Sequence, residues 1–398
     1  MLGDNLNLTR DSSLPGVIMK RKVGVIGISQ TKHEGAKRGQ DLVDMIFETT
    51  RGALDDAGME IGEIDSVVLA AHDLIDGRSI SSMLLAAPAG AHMKEETRVA
   101  DDGAFAVALA WMRLMSGEFG TSLVVSWSKL SEGNFDAITQ LNFDPVFYRP
   151  VGLNHLTAHA LQAMSYSSRY GVTEAQAAGV TVKNRSNALD NPLAHLRQKV
   201  TMDEVLRSPL LAWPLKELDM PPRSDGACAL VLASEKRAKK AKNGCAWIRG
   251  IGWGNDTYYL GDKDLAGMPS LTLAANKAFK MAKVNDPLKQ LDVAELHDVS
   301  SYHELMAYEA LGLCKPGEGH RLVDEGTTSP KGELPVNPSG GALSSNPYTA
   351  VGLVRVAEAA LQVMGRAGAH QVPGAKAALA HGTSGMCGQS NCVVIVGS

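Results

Sequence analysis

The sequence predicts a duplicated α/β fold, and three observations predict it. Strand-like and helix-like segments alternate along the chain, and the order in which they do so occurs twice. Both passes also place the dipeptide His-Asp at the end of an apolar run, at His72-Asp73 and at His297-Asp298. These points lie about 225 residues apart, far beyond the period of a solenoid, so two packed copies are the simpler architecture.

The first copy opens with a β-rich segment, Lys22 to Ser29, followed by an amphipathic stretch from Asp41 to Ala57. In that stretch Leu42, Met45, Ile46 and Leu54 fall at helical spacing, and Gly58 supplies the stop. The apolar run Val67 to Ala71 then predicts a buried strand running into His72-Asp73. Gly103 to Gly117 predicts an apolar helix, and Ser122 to Ser126 a strand. The second copy repeats the series with a strand at Trp247 to Trp253, a helix at Thr272 to Ala282 and a run ending in His297-Asp298. A helix at Ala350 to Met364 and a strand at Ala377 to Ala380 complete it, before the last strand, Asn391 to Val396.

Between the copies the texture changes. Residues 128–222 carry helical patches at Ala158 to Tyr170 and Glu174 to Ala188, broken by Pro192, Pro209, Pro214, Pro221 and Pro222. A long insertion of this kind typically carries substrate contacts. Asp225 to Leu232 returns as a core strand in which Cys228 is a small buried hydrophobe. The expected division is therefore 20–127 with 223–243 as one half, 128–222 as an inserted loop domain, and 244–398 as the other half.

Composition narrows the function. A formal charge of −4 over 398 residues offers no basic field for nucleic acid and no polybasic membrane patch. The five cysteines show neither a CxxC pair nor zinc spacing, so no metal is expected in this chain, and reduced thiols are. The first twenty residues, with Asp4, Asp11 and Pro15, hold no apolar core of signal-peptide length, and no stretch is long and apolar enough to cross a bilayer. A cytoplasmic protein is the expectation.

Polar and Gly-rich clusters recur at expected strand ends, where open α/β sheets place ligands. They are Val99-Ala-Asp-Asp-Gly103, Glu295-Leu-His-Asp298, Asn337-Pro-Ser-Gly-Gly341 with Ser345-Asn-Pro347, and His381-Gly-Thr-Ser-Gly-Met-Cys-Gly388. With Leu311 to Gly319, Leu334 to Gly341 and Ser224 to Ser234, these runs resemble the thiolases, most closely the sterol-carrier-protein type, from about Val23 to Val396. The resemblance implies a duplicated thiolase fold of five layers, αβαβα, with a loop-domain insertion. It also implies two helices whose N-termini meet in one pocket, coenzyme A as substrate, and a homodimer core. Relatives of this style work beside a small zinc-ribbon/OB-fold subunit.

The sequence departs from the family at its chemical centre. Thiolases place a nucleophilic Cys in a Cys-x-Ser-Gly turn at the first of those helices. Matching Gly103 to that glycine puts Ala100-Asp101-Asp102 there, and no Cys precedes Cys228. The family's Gly-His-Pro becomes Ser345-Asn346-Pro347. The candidate catalytic residues are therefore His297 and Asn346 as oxyanion donors, Cys387 as nucleophile or proton carrier, and Asp101 and Asp102 as base or as ordinary helix caps. His72 is the expected structural copy of His297. Coenzyme A contacts are expected at Ser339, Gly340, Gly341, His381 and Gly385, where glycines permit close backbone approach.

The expected activity is a thiolase-like acyl transfer that makes or cleaves a carbon–carbon bond in a 3-oxoacyl-CoA. A degenerate acyl-CoA-binding scaffold subunit, and a non-covalent acyl-CoA decarboxylase or hydrolase, are the alternatives.

Overall fold

The structure is a computed structural model and describes residues 21–398. Asp4, Asp11 and Pro15, which bear on the leader expectation, and residue 20, where the first half was expected to begin, lie outside the described residues. Among those described, no helix is long and apolar enough to cross a membrane.

Nine strands form one sheet. They are β1 (Val23–Gln30), β2 (Ser66–Ala70), β3 (Glu95–Val99), β4 (Thr121–Lys129), β5 (Asp225–Ser234), β6 (Ala246–Asn255), β7 (Val293–Glu295), β8 (Ala377–Ser384) and β9 (Ser390–Gly397). Their order across the sheet is β3-β2-β4-β5-β1-β6-β9-β8-β7. The repeat is visible in the pairing. Within each half the inner strands pair antiparallel (β1 with β5 and β5 with β4; β6 with β9 and β9 with β8), and the outer strand adds in parallel (β2 on β4, β7 on β8). Even β3 has a counterpart, because Val336 makes a parallel bridge to Ala294 on the outer side of β7. The halves join only where Gly24 and Val25 of β1 meet Trp247 and Ala246 of β6.

Two helices lie between the halves of this sheet, α2 (Gly103–Ser116) and α7 (Val351–Val363). One hydrophobic core takes residues from both helices and from strands of both halves, including Val68, Val124, Val293 and Val394. The alanines of α2 let it sit close to its neighbours, and α7 is buried nearly all round, as a helix between two sheets must be. At their crossing a Cβ on Gly103 would lie 2.6 Å from Leu353 Cβ, so the approach requires glycine. On the outer faces lie α1 (Leu42–Ala57) in one half and α5 (Pro269–Ala282) with α6 (Ser301–Ala310) in the other. The result is the expected five-layer sandwich. Asp41 caps α1 through its side chain, and Gly58 ends it in the left-handed conformation with φ 64°.

The insertion contributes α3 (His155–Tyr170) and α4 (Glu174–Asn187), both of which pack on the second half. On α4, Lys183 pairs with Glu304, Asn184 donates to Asp298, and Asn187 donates to the carbonyl of Asn337. The inserted segment is thus tied to the turns that follow β7. Several boundaries differ from the sequence expectation, among them the strand expected at Ser122 to Ser126, which runs Thr121–Lys129, and the two that follow. The helix expected from Thr272 starts at Pro269, a residue well suited to the first helical position. The strand expected to stop at Ala380 continues through Ser384, because it pairs residue for residue with β9.

Candidate active site

Both central helices begin at the same place, and one carboxylate serves both. Asp102, 2% exposed, accepts from Ala104 N at 2.9 Å through Oδ1, which caps α2. Through Oδ2 it accepts from Gly352 N at 2.8 Å, at the start of α7. Each bond satisfies an amide that the helix itself leaves unpaired, and the negative charge stands where both dipoles favour it. The space is tight: a Cβ on Gly352 or Gly382 would fall 1.6 Å or 2.1 Å from Asp102 Oδ1. Asp102 is therefore a cap, as one of its sequence readings had it. His297 Nδ1 lies 3.5 Å from Asp102 Oδ2, which brings the ring to the same junction.

A cavity of about 670 Å³ opens at this junction. Asp101, Asp102, His297, Asn346 and Gly385 all line it, so the structure brings these expected residues together. Asp101 accepts from Asp102 N at 3.1 Å and from the Ser384 hydroxyl. Burial and the Asp102 charge beside it raise its carboxyl to a pKa of about 6, which suits a proton carrier near neutrality. His297 Nδ1 receives the Thr383 amide at 3.4 Å, and an N–H can only donate. That leaves Nε2 to carry the proton and act as a donor. Asn346 Oδ1 accepts from Tyr348 N at 3.2 Å, so its amide nitrogen is the end left for a ligand.

Other expected residues do not reach the cavity. The Cys387 thiol, 5% exposed, packs among Phe143, Leu153 and Met386 and donates to Ala158 O at 3.2 Å. Burial pushes it up to a pKa of about 12, away from the thiolate a nucleophile needs. Ser339 donates to Glu295 Oε2 at 2.6 Å and accepts from Arg355, which itself pairs with Glu295 at 2.7 Å. Gly340 packs on Ala188, and a Cβ on Gly341 would lie 2.5 Å from Asp298 Oδ2. The Asn337 to Gly341 turn therefore wraps Asp298, which accepts from Ala342 N and Leu343 N, and it braces the loop carrying His297. Its glycines serve this packing in place of a ligand. His381 is a correction of the same kind: it sits inside β8, fully buried, with Nε2 2.8 Å from Asn391 Oδ1. His72, expected to be structural, lines the cavity.

Four further residues of the cavity wall escaped the sequence reading. Tyr348 lines the cavity with φ 34°, its ring edge-on to Phe135 at 5.0 Å. Burial and the charges of Asp101 and Asp102 push its phenol up to about 12, so it keeps its proton and can donate it in a hydrogen bond. His155 and His159, with ring centroids 4.5 Å apart, enter from α3. Burial lowers His155 to about 4 and His159 well below its ordinary value, which keeps both neutral. Their i, i+4 spacing was the available signal, and the helix begins at His155, three residues before the expected start at Ala158. Arg185 of α4 is the fourth, and nothing in its sequence context marked it.

Comparison with known proteins agrees with this architecture. The family described as thiolase C-terminal domain-like matches residues 253–398. An acetyl-CoA acetyltransferase of Methanothermobacter thermautotrophicus is 34% identical, covering 92% of this chain and 97% of the relative. Sterol carrier protein 2 of Homo sapiens is 30% identical over 91% of this chain and 69% of its own length. Among solved structures, one titled Ltp2-ChsH2(DUF35) aldolase superposes with a TM-score of 0.82 at 24% identity, covering 95% of this chain and 98% of that one. The chain belongs to the thiolase superfamily of acyl-CoA acyltransferases. Within it, this chain falls with the sterol-carrier-protein-2-type thiolases and their archaeal relatives.

Proposed function

We propose that this chain makes or cleaves a carbon–carbon bond beside a CoA thioester, transferring the acyl group of a 3-oxoacyl-CoA to coenzyme A without an acyl-cysteine intermediate. One observation carries the reading: at the start of α2 a cavity holds the carboxyl of Asp101, with its pKa near 6, and no thiol lines that cavity.

In the cleavage direction Asp101 takes the thiol proton of coenzyme A. The thiolate attacks the C3 carbonyl, the tetrahedral adduct collapses, and the C2–C3 bond breaks. Its electron pair passes to the enolate of the departing acyl-CoA, and Asp101 returns the proton to C2. His297 Nε2 and the Asn346 amide are the donors for the enolate oxygen, with Tyr348 as a further donor in the same cavity. Fixed donors in a site closed to water are worth more than the same bonds in bulk solvent.

A second reading is favoured by the fold neighbour whose title names an aldolase. Retro-aldol cleavage of a 3-hydroxyacyl-CoA would use the same base and the same enolate donors, and would release a carbonyl compound without consuming coenzyme A. That title also couples its chain to a DUF35 component. A small partner subunit, of the zinc-ribbon/OB-fold kind, and a second copy of this chain complete the assembly we propose. The edge strand β3, with Met93 exposed two residues before it, is the face offered to the second copy.

The test exposes the native complex to a panel of 3-oxoacyl-CoA and 3-hydroxyacyl-CoA esters, assays cleavage with and without coenzyme A, and weighs the intact chain. Cleavage of the 3-oxo esters that requires coenzyme A, with no acyl adduct, is expected. Cleavage of the 3-hydroxy esters without coenzyme A would shift the reading to aldol chemistry. An adduct on Cys387 would contradict the non-covalent route, and binding without turnover would make the chain a scaffold.

A further inference from the structure

Arg185 is the one strongly basic side chain in the cavity wall left without a partner among the described residues. It is 3% exposed, it lines the cavity, and it makes neither a hydrogen bond nor an ion pair. The cavity's other guanidinium, Arg223, is more than half exposed and is paired with Asp136. A buried, uncompensated charge is costly to fold around, and burial has already lowered the Arg185 pKa to about 10, which still leaves it charged at neutral pH. Such a group is expected where a ligand completes the pair.

Its place in the fold says which part of the ligand it meets. On one side its neighbour on α4, Asn184, donates to Asp298, the residue after His297, at 2.9 Å. On the other it shares the cavity wall with Leu196, next to His195, and His195 Nδ1 lies 3.0 Å from Ser224 Oγ, the atom that accepts from Asn346 N at 3.0 Å. Arg185 thus lines one cavity with His297 and Asn346, on a helix tied to the residue after His297, which sets it toward the acyl end of the site. The pantetheine arm holds the phosphates of coenzyme A well away from the thioester. A single planar guanidinium also matches a carboxylate, which it can bind through two parallel hydrogen bonds.

We propose that Arg185 is the receptor for a carboxylate on the acyl chain, so that the substrate is the CoA thioester of a 3-oxo dicarboxylic acid. The proposal rests on the acyl-CoA reading of the cavity, and its test separates the two. The full chain is titrated with succinyl-CoA, with 4-methylpentanoyl-CoA, in which an isopropyl group replaces the carboxylate, and with free coenzyme A. Wild type is expected to bind the succinyl ester about ten- to a hundredfold more tightly than its apolar isostere.

In Arg185→Met that preference should collapse to near unity. The unliganded variant should melt no lower than wild type, because an unpaired charge has been removed. A preference that survives the substitution would overturn the proposal, as would a melting temperature several degrees lower, which would reveal a structural partner. Parallel weakening of both esters and of free coenzyme A would overturn it in favour of a phosphate contact. Equal binding of the two esters by wild type would refute the carboxylate receptor alone, whereas binding of none of the three ligands would remove the acyl-CoA reading and this proposal together.

Discussion

The two copies of the His-Asp dipeptide occupy equivalent strand ends and have been put to different uses. Asp298 is wholly buried and accepts from the amides of Ala342 and Leu343 and from Asn184, so it locks the loop behind His297. Asp73 is partly exposed, pairs with Arg98 and accepts from Ser81 N. His297 accepts the Thr383 amide at Nδ1, with Asp102 beside it. His72 keeps its Nδ1 sealed and unpaired. Both rings reach one cavity, yet only the second stands on a braced loop. Duplication supplies two scaffolds, and the hydrogen bonds behind a residue decide which copy can hold a charge in place.

This contrast can be broken by substitution. His297→Ala should lower turnover by about 10²–10³, the range for losing one preorganised oxyanion donor, while His72→Ala should cost less than about tenfold. Matched steady-state rates check it, and equal losses would erase the asymmetry. A smaller effect is expected on stability. Asp298→Ala strands the buried amides of Ala342 and Leu343 and should destabilise the fold by about 2–3 kcal/mol. Asp73→Ala, at a partly exposed ion pair, should cost ~1 kcal/mol or less. Urea unfolding of the two variants measures the difference.

Much of this molecule was legible in its sequence, because hydrophobic periodicity and chain order carry the duplicated layers directly. The Gly stops at Gly58 and Gly117 both fall where the helices end in left-handed residues. Asp101, His297 and Asn346 were legible because they sit at the ends of elements whose positions the repeat already implied. What failed was the reading of small polar clusters as ligand contacts. Ser339, Gly340 and Gly341 look like a binding turn, yet their partners are Glu295, Arg355 and Asp298, more than 40 residues away for the last turn contact of Gly341. Cys387 looked available because glycines flank it, and its seclusion depends on Ala158 and Phe143 from the insertion. Arg185 and Tyr348 were missed for the complementary reason. One is an ordinary helical arginine and the other an ordinary turn tyrosine until tertiary packing turns both toward the cavity.

The central claim is that Asp101 moves the proton a thiolase would otherwise coordinate with thiol chemistry. The most direct test is the pH dependence of kcat/KM for the best CoA ester, measured on wild type and Asp101→Asn side by side. A base must be ionised to act, and the Asp101 pKa is raised to about 6, so wild-type activity should fall as pH drops through about 6. Asp101→Asn should be slower by about 10²–10⁴ and should lose that limb of the profile. A variant that keeps both the rate and the acidic limb would contradict the account.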